Sequence, residues 1–311
     1  MNKFIMVKAG ISILWAIVLL LPFSGHAGMS AMRTLLEKDS RYQHLAVVED
    51  TEKKERYLLT DKSGLKRGGI FLDAPDSLLM EYTGMSFVGL AYLRRDPSDV
   101  LFMGLGTGTM PRYLNRHYPG TRIDISEIDP DVLSVAQRYF FFRENQDMRV
   151  HIADGRAFLS KTAKKYDVIF LDAYQSGSLP FHLTTIEFLG ELRKRLKSDG
   201  VLVANIQTSV ITRAFHSILR TYRGAFPHVE IYMGRNSPNT VFVAGLGSVP
   251  LDQTTLVQRA REIRSLRKMD IDLSLYGSYR MYFSDPASET GVLADVFSPA
   301  NGGASLKSGA R

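Results

Sequence analysis

The feature that most constrains this chain is an alternation of short apolar strands with helical stretches between Asp99 and Gly245. The strands read "DVLFM", "RIDIS", "RVHIA", "YDVIFL", "GVLVANI", "HVEIYMG" and "TVFVAG". Helices are expected after a glycine turn at 104–108, at Pro130 behind a capping Asp129, near Arg156, at Thr184 or Thr185, and near Thr212. Strands this apolar, joined by helices, form a parallel sheet covered on both faces. The last two are joined by "GRNSPN", which has no room for a helix, so they form an antiparallel hairpin at one edge. The fold class expected is α/β: a mostly parallel, Rossmann-like seven-stranded sheet with helices on both faces, preceded by a small antiparallel β domain.

The flanking segments have a different texture. A short helix is expected around Met32 to Lys38, and "HLAVVED", "RYLLTD" and "GIFLD" read as a small antiparallel sheet. Apolar residues at helical spacing from Ser77 to Leu93 predict a helix that ends before Pro97. In "TTLVQRAREIRSLRK" a further helix places Leu256, Val257, Ala260, Ile263 and Leu266 on one face and its arginines on a solvated one. The closing "NGGASLKSGAR" reads as a disordered tail. The expected division is residues 1–27, a leader; 28–93, the small N-terminal domain; 94–250, the sheet domain; 251–298, a helical extension; and 299–311, the tail.

Lys3 and Lys8 precede "AGISILWAIVLLLPF", and small residues follow at Gly25 and Ala27. This is the layout of a secretory signal cleaved after Ala27, with an uncleaved membrane anchor as the alternative. Either would export the rest of the chain, and the absence of Cys is compatible with an oxidising compartment. A start at Met29 or Met32 would instead leave the protein in the cytoplasm. The net charge is +7, but Lys and Arg are scattered without an aromatic-interleaved basic stripe, so no nucleic-acid partner is expected.

The chemistry gathers at successive strand ends. Gly104, Gly106 and Gly108 in "GLGTGT" form a strand-to-helix turn whose backbone N–H groups can approach a ligand closely. Glu127 follows the second strand, 19 residues beyond Gly108, where a carboxylate can accept from two ribose hydroxyls. Asp154 and Gly155, in "ADGRAF", follow the third strand, and Asp172, in "FLDAYQSG", follows the fourth. Any one of these acids alone reads as a helix cap or loop residue; in this order they line the crevice where open α/β sheets bind ligands. An NAD-type site fits less well, because its G-x-G-x-x-G fingerprint wants the third glycine one residue later.

These residues resemble the spermidine synthase (polyamine aminopropyltransferase) family, a branch of the SAM-dependent methyltransferase fold, from about Ser40 to Gly245. "SRYQHLAVVED", "GLGTGT", "EID", "ADGRAF", "YDVIFLDAYQ" and "HLTTIEFLGELRKRLKSDGVLVANI" follow in the family's order. The resemblance implies Gln43 beside the cofactor nucleoside, Glu127 on the ribose, Asp154 near adenine, and Asp172 orienting and deprotonating an attacking amine. It also implies decarboxylated SAM or SAM as co-substrate, no metal, a small amine such as putrescine as acceptor, and a homodimer. Three departures stand out: Thr107 replaces the acid of the family's glycine turn, Gln175 replaces the second carboxylate of D-S-x-D, and "DSLLMEYTGM" replaces D-E-x-x-Y-H-E. Glu81 and Tyr82 are the remaining substrate-binding candidates in that last segment. Methyl transfer from SAM and nucleoside or polyamine binding without turnover therefore stand beside aminopropyl transfer.

Overall fold

The computed structural model describes residues 31–175, 179–206, 213–247, 251–284 and 290–295. The chain opens with an antiparallel meander, β1 (Met32–Asp39), β2 (His44–Asp50), β3 (Glu55–Leu59) and β4 (Lys66–Phe71), in that spatial order. The helix expected at 32–38 is thus a strand. Pairing with β2 along its length overrides the helical propensity of "LLEK", and most of β1 is exposed as an edge. The helix expected from Ser77 is shorter: α1 spans Glu81–Ser86 and tightens into a 3₁₀ segment, Phe87–Tyr92.

The main sheet follows, with β5 (Asp99–Met103), β6 (Arg122–Glu127), β7 (Met148–Ile152), β8 (Tyr166–Leu171), β9 (Leu196–Ile206), β10 (His228–Met233), β11 (Thr240–Gly245) and β12 (Arg280–Met281). Its order is β12-β10-β11-β9-β8-β5-β6-β7. The five strands β5 to β9 are parallel, while β11 runs antiparallel to both β9 and β10. The expected seven strands gain an eighth, β12, too short to carry a periodic signal. Helices α2 (Thr109–His117), α3 (Pro130–Tyr139), α4 (Gly155–Lys161), α5 (Ile186–Arg195) and α6 (Arg213–Ala225) connect the strands, and α7 (Gln253–Arg267) and α8 (Leu273–Gly277) follow.

Every residue of β5 and β8 is buried, which is why neither strand alternates polar with apolar side chains. Phe102 and Phe170 stack across the paired strands with ring centroids 4.6 Å apart, and Phe87 of the 3₁₀ segment tilts against Phe170. On α7, Leu256 and Ala260 are fully buried and Ile263 packs on the core, but Leu266 is 78% exposed. The apolar face of α7 therefore ends a turn earlier than its sequence predicts.

From β5 the chain moves outward through β6 and β7, then returns to β8 on the other side of β5. The carboxyl ends of β5 and β8 thus flank a topological switch point, where such sheets bind ligands. The meander covers this point, with Ser40 Oγ donating to Asp129 Oδ2 at 2.6 Å and Arg56 Nη1 to the Tyr139 carbonyl at 2.7 Å. Among the described residues no helix is long and apolar enough to cross a membrane. The leader and the tail read from the sequence lie outside the described residues.

Candidate active site

The glycine turn begins where β5 ends, and its backbone is fixed by the neighbouring strand. Gly104 N–H donates to the Ser126 carbonyl at 2.8 Å, and Leu105 N–H donates to Glu127 Oε2 at 2.9 Å. Gly104 has φ +99°, and a Cβ there would lie 2.3 Å from the Asp172 carbonyl oxygen, so no side chain fits. Gly108, at φ +72°, precedes α2 without a side-chain cap, leaving the first N–H groups of that helix available to a ligand. Gly106 and Thr107 complete the turn along the wall of a cavity of about 1280 Å3, open solvent at its mouth included.

Glu127 is 7% exposed and lines that cavity. Its other oxygen accepts from the Asp129 N–H at 2.9 Å, so the carboxylate braces the glycine turn and the start of α3 together. Burial pushes its pKa up to about 7, against the backbone N–H bonds of Asp129, Leu105 and Ile128 that lower it. Asp154 caps α4 through Ala157 N–H at 2.9 Å and meets His182 Nε2 at 3.0 Å, and the His182 contact holds it below the ordinary carboxylate range. The cap reading and the pocket reading are both true of this residue, because the helix starts at the cavity wall.

Asp172 leaves β8 at the switch point. Its Oδ1 accepts from Asn205 Nδ2 at 2.9 Å, and its Oδ2 lies 3.1 Å from the Tyr82 hydroxyl, which also reaches the Arg67 carbonyl at 3.0 Å. Burial raises the Asp172 pKa to about 6; the Asn205 and Tyr82 hydrogen bonds and the nearby Arg67 charge limit the rise. Burial and the Asp172 carboxylate together push the Tyr82 phenol well above its ordinary value. A carboxyl poised near neutrality at the end of a buried strand is suited to exchanging a proton.

The same cavity collects Gln43, Gly155, Tyr82 and Gln175. Gln43 Oε1 and Ser126 Oγ are buried there without a hydrogen-bond partner among the described residues. Glu81 does not join them: its carboxylate accepts from the N–H groups of Arg235 and Asn236 at 3.2 and 2.8 Å, on the β10–β11 turn. Successive side chains of a helix point in different directions, so at the start of α1 Tyr82 enters the cavity and Glu81 leaves it. Thr107 is buried, its hydroxyl 2.6 Å from that of Thr109, and a Cβ at Gly68 would lie 2.9 Å from its methyl group.

Sequence reasoning missed Arg67, Asn205 and Asn239, all of which line the cavity. Asn205 had a readable signal, a polar residue at the carboxyl end of an apolar parallel strand. Asn239 and Arg67 had none, since a turn asparagine and a strand arginine are ordinary surface residues.

A doubly wound sheet of this order, with a glycine turn at the switch point and carboxyls at the next strand ends, defines a SAM-transferase fold. Residues 78–235 match the spermine/spermidine synthase domain. The chain is 34% identical over 289 residues to the polyamine aminopropyltransferase of Vibrio vulnificus, covering 91% of this chain and 94% of that one. It therefore belongs to the spermine/spermidine synthase family. It is also 31% identical over 251 residues to the eEF1A lysine and N-terminal methyltransferase of Mus musculus, covering 75% of this chain and 36% of that protein. In fold it resembles the crystal structure of a probable spermidine synthase from Corynebacterium glutamicum, with TM-score 0.67, 20% identity, and coverage of 88% and 98%.

Proposed function

We propose that this protein transfers an aminopropyl group from decarboxylated SAM to a small amine, with Asp172 as the proton acceptor. The observation that carries the reading is Asp172 itself: a half-buried carboxyl at the switch point, its pKa raised to about 6 by desolvation and its oxygens held by Tyr82 and Asn205. An alkylammonium has no lone pair with which to attack until it is deprotonated, so the carboxylate attracts the cation and then takes its proton. The donor supplies an electrophilic carbon activated by a sulfonium. Gly104, Gly106, Thr107 and Gly108 bound the donor side, Glu127 and Gln43 accept from ribose hydroxyls, and Asp154 with Gly155 borders adenine. The buried Gln43 Oε1 without a protein partner supports this assignment, because a ligand hydroxyl would satisfy it. Tyr82 and Gln175 border the amine, and Glu81 is omitted from the substrate site because its carboxylate is committed to the β10–β11 turn.

Methyl transfer from intact SAM is the second reading, favoured by Thr107. A hydroxyl at that position spares the SAM carboxylate the repulsion that an acid would impose, and Arg67 adds positive charge to the cavity wall. One assay separates the readings. The full chain, given decarboxylated SAM or SAM with an amine, releases methylthioadenosine in the first case and S-adenosylhomocysteine in the second. Release of neither, with nucleoside bound, leaves a binding protein. The leader at 1–27 supports an exported location, which the N-terminal residue of the native protein tests: Gly28 follows from cleavage, Met29 or Ser30 from internal initiation. The family resemblance supports a homodimer, which sedimentation tests.

A further inference from the structure

Asp172 is held from two sides, and both lead back to α1. On one side stands the Tyr82 hydroxyl, 3.1 Å from Oδ2. On the other, Asn205 Nδ2 donates to Asp172 Oδ1 at 2.9 Å, while Asn205 Oδ1 accepts from Asn239 Nδ2 at 2.9 Å. Asn239 closes the β10–β11 turn, its carbonyl accepting from Gly234 N–H at 3.0 Å. The N–H groups of Arg235 and Asn236 in the same turn donate to Glu81, the residue before Tyr82. The contacts close a ring: Tyr82, Asp172, Asn205, Asn239, the turn, and Glu81.

An amide presents a donor at one end and an acceptor at the other, and its outer partner decides which end faces inward. Asn205 and Asn239 are 5% and 9% exposed, so water does not readily replace a lost partner. With Asn239 donating to its oxygen, Asn205 is satisfied in the orientation that gives Asp172 an N–H. Reversed, it would set its oxygen against the carboxylate, a repulsion relieved only when Asp172 is protonated.

We infer that Asn239 is a positioning residue for the base: its amide orients Asn205 toward Asp172 and thereby sets the proton affinity of that carboxyl, with Glu81 holding the turn in place. The inference rests on the proton-acceptor role proposed above. The charged and titratable groups that also act on Asp172 are Tyr82 from α1 and Arg67 from β4. Both act from outside the Asn205–Asn239 arm, so their effect stays constant when Asn239 is changed.

Asn239→Asp tests it in the full chain. The new side chain has the same shape but, when ionised, only accepts, so Asn205 turns its N–H outward and its oxygen to Asp172. The Asp172 carboxyl is followed by its infrared C=O band against pH, identified by its absence in Asp172→Asn. The expected result is a midpoint about one unit higher, a tenfold gain in proton affinity. Asn239→Ala, which removes the donor and adds no charge, should move it the same way by less; it separates the turning of Asn205 from the direct repulsion of the new carboxylate and serves if Asn239→Asp does not fold. An unmoved midpoint in either folded variant overturns the inference, since a merely structural residue would alter melting and leave the band's titration alone. The band is read without turnover. A shifted midpoint in a protein that releases no methylthioadenosine with any amine would sink the aminopropyl-transfer reading and keep the orienting role of Asn239.

Discussion

Asp172→Asn should stabilise the protein while removing its turnover. Desolvation raises the half-buried Asp172 carboxyl from the ordinary 3.8 to about 6, and each unit is worth about 1.4 kcal/mol, so the ionised form costs about 3 kcal/mol of folding stability. Below about pH 4 the group is protonated in folded and unfolded chains alike and the cost vanishes. Between 4 and 6 the folded chain holds the proton and the unfolded chain has lost it, so stability falls as pH rises. Above 6 the whole cost stands. The asparagine removes the charge and keeps the shape: its oxygen can accept from Asn205, and its NH2 can donate to the Tyr82 hydroxyl, which keeps the Arg67 carbonyl as acceptor. A chain of this size gains on the order of 2 °C per kcal/mol, so melting at pH 8 should rise by about 5 °C. At pH 4 the gain should be under about 1 kcal/mol. Turnover should drop by roughly 10²–10⁴. Calorimetry of both proteins across this range decides the matter. No gain at pH 8, or the same gain at pH 4 and pH 8, would refute burial as the origin of the raised pKa.

Gln43→Leu should weaken methylthioadenosine binding about tenfold in a titration without lowering the melting temperature, because Oε1 has no protein partner to lose. Gly104→Ala forces a Cβ into the Asp172 carbonyl at φ +99°, and should lose nucleoside binding together with at least about 2 kcal/mol of stability by denaturant unfolding. Thr107→Asp should shift the donor preference toward decarboxylated SAM by about tenfold, the worth of one charge-assisted hydrogen bond; an unchanged ratio would mean that residue 107 does not face the donor's charged end. Asp99 is pushed up by burial, yet hydrogen bonds from Arg122 and Lys197 hold it well below the carboxylate range. Its contribution is therefore present above pH 4 and lost as the solution is acidified. Asp99→Asn should cost about 3 kcal/mol at pH 7, with the difference from wild type shrinking toward pH 2 in acid unfolding curves.

The parts of this molecule legible from sequence are those whose signal is local. A strand buried on both faces reads as a near-continuous apolar run, so β5, β8 and the 200–206 part of β9 announce themselves, while the polar start of β9 does not. A turn at positive φ with no room for a Cβ calls for glycine, so Gly104 and Gly108 do too. The edges are different. β1 reads as helix because its own residues favour one, and it becomes a strand only because β2 offers a full row of backbone partners. Leu266 reads as core because periodicity does not reveal where the underlying surface stops. In the site, a carboxylate at a strand end is visible, but what tunes it is not. Tyr82, Arg67, Asn205 and Asn239 converge on Asp172 from four segments spread over more than half the chain. Glu81 shows the consequence: one position from Tyr82 in sequence, it faces the turn instead of the cavity. A reading by strand ends therefore finds Asp172 and misses the groups that surround it. Those are the groups through which one scaffold can be tuned between an amine acceptor that needs deprotonation and a donor that needs only to be held.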